Sequence, residues 1–335
     1  MKKAKRLQSG LLLTLTALIW GTAFVAQSEG MNHVGPFTFN AVRCIVGGIV
    51  LLPVIAGADA AKRKAGAAQP AEAAGKGKSV ILGGILCGLA LFVASSLQQV
   101  GIQYTTVGKA GFITALYIVI VPVLGLLFKR KPGFTVWIAV ALAVVGMYLL
   151  CITEGLSIGK GDLLILACAF CFSIHILVID HFSPHVDGVR MSCIQFFVAG
   201  VVSLLPMFLF ETPEVEGILS AWLPILYAGV MSCGVGYTLQ IIGQRNMPPA
   251  VASLILSLES VFSVLAGWLL LGQRLSAREL VGCAVVFVAI LLAQLPPELF
   301  RPRRLTAPGP EGAQEEAAPG PEGAQAEEGG PDIRQ

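Results

Sequence analysis

The chain has 335 residues, of which 55% are hydrophobic and 13% are charged, and its net charge is +3. Soluble domains carry about 25% charged residues, so this chain has too little polar surface to coat a water-soluble globule. The composition excludes an ordinary soluble protein and predicts an integral membrane protein. The small net charge gives no reason to expect a nucleic-acid partner.

Ten apolar segments follow one another along the chain, each close to the roughly 20 residues that a membrane-spanning helix needs. Short connections between most of them force neighbouring helices to run antiparallel. The predicted fold is therefore an all-α integral membrane protein with ten transmembrane helices. Their predicted ranges are 9–29, 36–57, 79–101, 106–128, 134–152, 161–180, 188–210, 219–243, 249–271 and 278–295.

Three stretches are predicted to lie outside the membrane. Residues 1–8 form a basic N-terminus, and the apolar run after them is too long for a cleaved signal peptide, so we expect it to remain as the first helix. Residues 58–78 are rich in Ala, Gly and Lys and are expected to form a flexible loop. Residues 305–335 are rich in Pro, Gly, Ala and Glu, cannot bury a core, and are expected to form a disordered acidic tail.

The distribution of basic residues predicts the orientation of the chain. Cytoplasmic loops of membrane proteins carry an excess of Lys and Arg. Placing the N-terminus in the cytoplasm puts most of the 23 Lys and Arg residues on that side. Both termini, the 58–78 loop and the acidic tail are therefore expected in the cytoplasm, with the protein in the plasma or inner membrane.

The two halves of the chain repeat each other. An offset of 143 residues aligns 106–150 with 249–293, including a turn and both flanking helices. This predicts two five-helix repeats, at 9–152 and 161–295. An odd number of helices inverts the second repeat relative to the first, and inverted repeats that meet at a midplane site are typical of alternating-access transporters.

Four short motifs resemble the drug/metabolite transporter superfamily and its EamA-type repeats. They are residues 18–24 (LIWGTAF), 39–43 (FNAVR), 114–117 (TALY) and 257–262 (SLESVF). The resemblance implies ten helices around a central cavity. It also implies export or exchange of a small metabolite, in a superfamily that handles amino acids, drugs, sugars and cations.

Two charged residues inside apolar segments are the first candidates for the site, because charge in the hydrocarbon is costly. Arg43 could bind a substrate carboxylate, or it could snorkel outward or act as a structural clamp. Glu259 lies mid-helix, where a low dielectric favours a neutral carboxyl group suited to proton coupling or a cation site. It could instead cap a helix break or pair with Arg43. For Lys109 we favour snorkelling.

The remaining candidates are uncharged or neutral. His175 could relay protons or be hydrogen-bonded packing. Aromatic faces with a few polar groups are typical of small-molecule pockets, although each of these side chains taken singly is better explained by helix packing. The candidates for the cavity wall are Trp20, Gln98, Gln99, Tyr104, Tyr117 and Tyr237.

Other chemistries find little support in the sequence. The eight cysteines lie in or at the end of apolar runs, where cysteine acts as a small apolar residue. Neither hydrolase, metalloprotease nor P-loop motifs occur, so we expect no enzyme activity, cofactor or metal. A small-molecule substrate and the lipid bilayer are the expected partners, and a coupling proton and a homo-oligomer stay open. The alternative to a carrier is a passive pore.

Overall fold

The structure is a computed structural model, and every regular element within its described residues is helical. The tail predicted at 305–335 lies outside this part of the chain. The described residues are 2–64, 73–105, 107–130, 132–151, 159–271 and 276–294.

Ten transmembrane segments, which we number as spans 1–10, follow the predicted order. A short helix, Val215–Ser220, precedes span 8. Spans 1–3 are Lys2–Gly30, Pro36–Lys64 and Ala73–Ile102, and span 4 consists of Val107–Thr114 and Tyr117–Leu127. Spans 5–7 are Phe134–Cys151, Lys160–Phe182 and Gly188–Phe210. Span 8 consists of Trp222–Leu226, the π-helix Tyr227–Tyr237 and Thr238–Gln244, span 9 of Pro249–Leu256 and Leu258–Leu271, and span 10 is Ala277–Gln294.

Eight of the spans are long and apolar enough to cross a bilayer. Spans 5 and 10 contain the shorter apolar stretches Phe134–Leu149 and Leu280–Ala293. Together they make a ten-helix, multi-pass membrane protein, as the hydropathy predicts.

The prediction of a flexible loop at 58–78 is wrong at both ends of that stretch. Span 1 begins at Lys2, so the helix includes residues 2–8 of the predicted basic N-terminus. Span 2 continues to Lys64 and span 3 begins at Ala73, so the ends of the expected 58–78 loop are helical. Alanine, lysine and arginine are strong helix formers, which explains why residues 58–64 extend the helix beyond its apolar part.

Successive spans alternate in direction and give the protein two distinct sides. On one, which we call the basic side, Arg190 Nη2 donates to Asp59 at 2.6 Å, and Arg130 pairs with Asp180. On the other, which we call the Glu211 side, the Glu211 carboxylate accepts from two backbone N–H groups that open span 2. Each of these contacts joins the first half of the chain to the second.

The packing of the spans is repeated between the halves. Span 1 packs against spans 8 and 9, and span 6 packs against spans 3 and 4 in the same way. Spans 2 and 7, and likewise spans 5 and 10, pack as pairs of equivalent helices. This is the arrangement that two inverted five-helix repeats produce.

Glycines bring the helices of the two halves into close contact. A β-carbon at Gly88 in span 3 would lie 2.7 Å from Val198 Cβ in span 7. One at Gly229 in span 8 would lie 2.7 Å from Val46 Cγ1 in span 2. Small residues allow such close approach in membranes, where no hydrophobic effect draws helices together.

Spans 4 and 9 are both broken near their centres. Span 4 is interrupted at Ala115 and Leu116, and span 9 at Ser257. In span 9 the Ser253 hydroxyl donates to the Ala250 carbonyl at 3.0 Å and that of Ser257 to the Leu254 carbonyl at 2.7 Å. Such back-bonding bends helices. The two breaks face each other at the centre of the protein.

Candidate functional site

A narrow central cavity of about 30 Å³ lies where the two halves meet. Spans 1–4 of the first half and spans 6, 8 and 9 of the second half surround it. Its wall combines aromatic rings with a few buried polar groups, as small-molecule sites do. Six of the residues proposed from the sequence line it: Trp20, Arg43, Gln98, Tyr117, Tyr237 and Glu259.

A hydrogen bond between the two broken helices lies in the wall of this cavity. The Tyr117 hydroxyl donates to Glu259 Oε1 at 2.9 Å, and Glu259 is only 3% exposed. Tyr117 begins the second helix of span 4, and Glu259 lies in the first turn of the second helix of span 9. A helix N-terminus stabilises a carboxylate, so the break itself helps to hold Glu259 in place.

Arg43 lies in span 2 and is 5% exposed, so its guanidinium does not snorkel to the protein surface. Its Nη1 donates to Gln27 Oε1 at 2.9 Å, and its guanidinium carbon lies 5.6 Å from the centre of the Phe39 ring. Arg43 and Glu259 are both described, and no ion pair joins them. Their hydrogen bonds go to Gln27 and Tyr117 instead.

Further amides complete a polar group around Arg43. Gln98 donates to Thr114 Oγ1 at 3.2 Å, and Gln99 donates to the Gln27 carbonyl at 3.2 Å. Gln99 does not line the cavity but fixes the residue that binds Arg43. We call the five residues Gln27, Arg43, Gln98, Gln99 and Thr114 the Arg43 cluster.

Two aromatic rings close the wall between the halves. Trp20 of span 1 and Tyr237 of span 8 have ring centroids 4.5 Å apart. The buried Trp20 Nε1 has no hydrogen-bond partner among the described residues. A buried indole N–H normally finds an acceptor, so this one is available to a polar group in the cavity.

His175 lies outside the cavity wall. It is fully buried, its Nε2 lies 3.1 Å from Gln195 Oε1, and its ring packs edge-on against Tyr237 with centroids 5.8 Å apart. Thr238 and Gln195 both donate to the Ser192 hydroxyl. This His175 cluster of His175, Ser192, Gln195 and Thr238 favours the packing interpretation of the histidine.

Some of the site was not anticipated from the sequence, and some candidates lie elsewhere. Gln27 and Ser232 line the cavity although neither was a candidate. Tyr104 is 67% exposed at the end of span 3, away from the cavity. The side chain of Lys109 lies outside the described part of the chain.

The structure also places the metal-ligating side chains and the C-x-x-C pair of its described residues. The described residues contain no group of three or more His, Cys, Asp or Glu side chains that could hold a metal ion. The C-x-x-C pair, Cys168 and Cys171, consists of free cysteines in span 6. Cys168 is buried and Cys171 is partly exposed.

The chain is similar to known proteins in both sequence and fold. The EamA-like transporter family matches this chain twice, at residues 8–152 and 159–295. An uncharacterized transporter of Archaeoglobus fulgidus is 30% identical over 292 residues, which cover 87% of each chain. The uncharacterized inner membrane transporter YedA of Escherichia coli is 24% identical over 309 residues, covering 89% of this chain and 94% of its own.

A plant relative and a solved structure extend the likeness. A WAT1-related chloroplastic protein of Arabidopsis thaliana is 26% identical over 312 residues, covering 86% of this chain and 70% of its own. One crystal structure superposes with a TM-score of 0.70 at 19% identity, covering 88% of this chain and 99% of that chain. This last likeness concerns the fold alone.

Proposed function

The chain belongs to the EamA-like transporter family, and on that premise we propose that it is a secondary transporter of a small metabolite. The substrate class we favour is an amino acid or a drug-like compound, moved by export or exchange. Alternating access would take place around the central cavity, with an ion gradient such as that of protons, or the substrate gradient itself, as the energy source.

The hydrogen bond between Tyr117 and Glu259 is the observation that carries this proposal. It joins the two repeats at the breaks of spans 4 and 9, beside a cavity that both repeats line. Broken helices at the midplane between inverted repeats are where secondary transporters bind their substrates and coupling ions. Rocking of one repeat against the other around this bond would open the cavity to each side in turn.

The charges of the cavity suggest how a substrate is held. Arg43 would bind a carboxylate or another anionic group. Its guanidinium donates to Gln27, and its Nε has no partner among the described residues, so a donor remains for the substrate. Glu259 would bind a cationic group or exchange a proton. Trp20 and Tyr237 would stack against the apolar part of the substrate.

The orientation is part of the same proposal. The basic side would face the cytoplasm, with both termini there, since Lys and Arg are enriched in cytoplasmic loops. The protein would lie in the plasma or inner membrane, in keeping with the printed name of the Escherichia coli relative.

Transport by reconstituted vesicles tests the roles of the two charges. A thermal-shift screen of amino acids and drug-like compounds first identifies a stabilising ligand. We expect Glu259→Gln and Arg43→Ala to lower uptake of that ligand at least about tenfold, the cost of losing an interaction of about 1.4 kcal/mol. Glu259→Gln should also remove any pH dependence. Matched controls are Glu214→Gln and Arg278→Ala, which change exposed residues on the Glu211 side.

Wild-type uptake and pH dependence in both cavity variants, at normal expression, would contradict the proposal.

A passive pore is the competing function, and counterflow separates it from a carrier. Unlabelled substrate inside the vesicle accelerates uptake by a carrier and leaves flux through an open pore unchanged. The narrowness of the central cavity favours the carrier.

A further inference from the structure

A second, larger cavity of about 610 Å³ lies at the basic side. It is bounded by the ends of spans 4, 6, 8 and 10 and the starts of spans 1, 5 and 9. None of its lining residues belongs to the wall of the central cavity. It is therefore a separate space, and the proposed transport route does not account for its charge.

The rim of this basic-side cavity is positively charged. Arg6, Arg130 and Arg245 line it against a single described carboxylate, Asp180. Arg245 Nη2 donates to the Pro184 carbonyl at 3.2 Å, which fixes its side chain without neutralising it. Arg130 pairs with Asp180. Two of the three positive charges thus have no described acidic partner, and their field attracts an anion.

Most of the rest of the wall is apolar, with Thr135 and Asn246 as further polar residues. Val121, Val136, Met247 and Val251 line the cavity and are all less than a tenth exposed. Leu127 and Phe134, the last residue of span 4 and the first of span 5, are 76% and 78% exposed. The cavity thus offers arginines to a negative head and apolar walls to an attached hydrocarbon.

We propose that the basic-side cavity binds a phosphate-bearing anion. Guanidinium groups match the oxygens of phosphate in charge and geometry. The anion comes either from the head group of an acidic phospholipid or from a soluble phosphate. Basic pockets between transmembrane helices on the cytoplasmic side are known to bind acidic head groups, and the apolar wall favours the lipid.

Occupation of this cavity has a consequence for the contact between the halves. Arg130 belongs to the turn between spans 4 and 5, and Asp180 to span 6, so their ion pair ties the first repeat to the second. An anion beside Arg130 competes with Asp180 for the guanidinium. Binding therefore weakens this tie on the basic side.

Binding is measured on the purified full-length protein in a neutral detergent, without any transport assay. One arm titrates inorganic phosphate against sodium chloride at equal ionic strength, with the melting temperature as readout. The other arm adds phosphatidylglycerol or phosphatidylcholine and counts bound lipids by native mass spectrometry. Saturable binding of phosphate alone identifies a soluble anion, and saturable binding of phosphatidylglycerol identifies a lipid; either supports the site.

Charge variants make the test specific to the cavity. We expect Arg245→Gln and Arg6→Gln each to weaken binding about fivefold, as loss of one cationic contact does. Asp180→Asn should tighten binding, because it removes the competing carboxylate. The matched control, Arg63→Gln, removes an exposed charge outside the cavity on the same side. Absence of saturable binding in both arms, or an equal loss in the Arg63→Gln control, overturns the proposal.

Discussion

The Arg43 cluster and the His175 cluster occupy corresponding places in the two repeats but differ in charge. Arg43 lies seven residues after Pro36, which begins span 2, and Gln195 lies seven residues after Gly188, which begins span 7. Each pairs with a side chain from the first helix of its own repeat, Arg43 with Gln27 and Gln195 with His175. Arg43 and Gln27 line the central cavity, whereas Gln195 and His175 do not.

The two repeats therefore share their helix packing but differ in the charged residues that they contribute to the cavity. Helix positions, close-packed glycines and broken spans are common to both repeats, so they set the symmetry needed for a two-sided motion. Among the described residues that line the central cavity, Arg43 of the first repeat is the one cation and Glu259 of the second repeat is the one carboxyl group. Substrate selection should therefore depend on Arg43 and Glu259, whereas the His175 cluster should contribute mainly to packing.

Arg43→Gln should have the largest effect, because it makes the first cluster resemble the second. A buried hydrogen bond to a charged group contributes about 1.5–3 kcal/mol, which corresponds to tenfold or more in affinity. Uptake below saturation should fall by about tenfold or more. Vesicle uptake checks this, with Arg278→Gln as the control, and unchanged uptake would mean that Arg43 is only a structural clamp.

Gly229→Ala and Gly88→Ala compare the two clusters by overpacking the helix contact beside each of them. A β-carbon at Gly229 would lie 3.0 Å from the Arg43 carbonyl, and one at Gly88 would lie 2.8 Å from the Gln195 carbonyl. Overpacking of this kind costs about 1–3 kcal/mol, so both variants should lower the melting temperature similarly. Only Gly229→Ala should also reduce uptake, because it displaces Arg43.

Gly57→Ala is the control for this pair, since a β-carbon there meets nothing within 4 Å. Its melting temperature should stay at or above that of the wild type. Equal losses of uptake in Gly88→Ala and Gly229→Ala would contradict the idea that the two clusters have different roles.

Tyr117→Phe should have a smaller effect, because it removes one hydrogen bond and keeps the ring. That bond to Glu259 Oε1 contributes about 1 kcal/mol, so uptake should fall by about fivefold. Tyr148→Phe, a half-exposed tyrosine in span 5, is the matched control. Wild-type uptake by the Tyr117 variant would show that the link between the broken helices has no part in transport.

His175→Gln should have the smallest effect. Glutamine keeps a donor and an acceptor near Gln195, so the stability loss should be about 1 kcal/mol or less. Uptake and its pH profile should stay within about twofold of the wild type. A lost pH dependence in this variant would instead assign proton relay to His175.

The sequence predicted most of the fold because hydropathy and repetition carry it directly. Eight of the ten apolar segments have spanning length, and the offset of 143 residues paired spans 4 and 9 correctly. The helix ends were less predictable. At residues 58–64 hydropathy falls while helix propensity stays high, so the helix outlasts its apolar stretch.

The site was partly predictable for a related reason. Arg43 and Glu259 stand out because charge is rare in apolar segments, and both line the cavity. Gln27 was missed because a single amide near a helix end is common at membrane surfaces. Glu259 pairs with Tyr117 and not with Arg43. This choice of partner depends on where the two broken helices cross, and residue spacing within one helix cannot specify that.

Alternate exposure of the cavity is tested most directly by cysteine labelling in vesicles. In a background without the eight native cysteines, Gln98→Cys lies in the Arg43 cluster and Gln240→Cys lies toward the basic side. With a membrane-impermeant maleimide, we predict that Gln98→Cys reacts only from the Glu211 side and Gln240→Cys only from the basic side. In the double variant, labelling of one position should protect the other, and simultaneous labelling of both from one side would contradict alternating access.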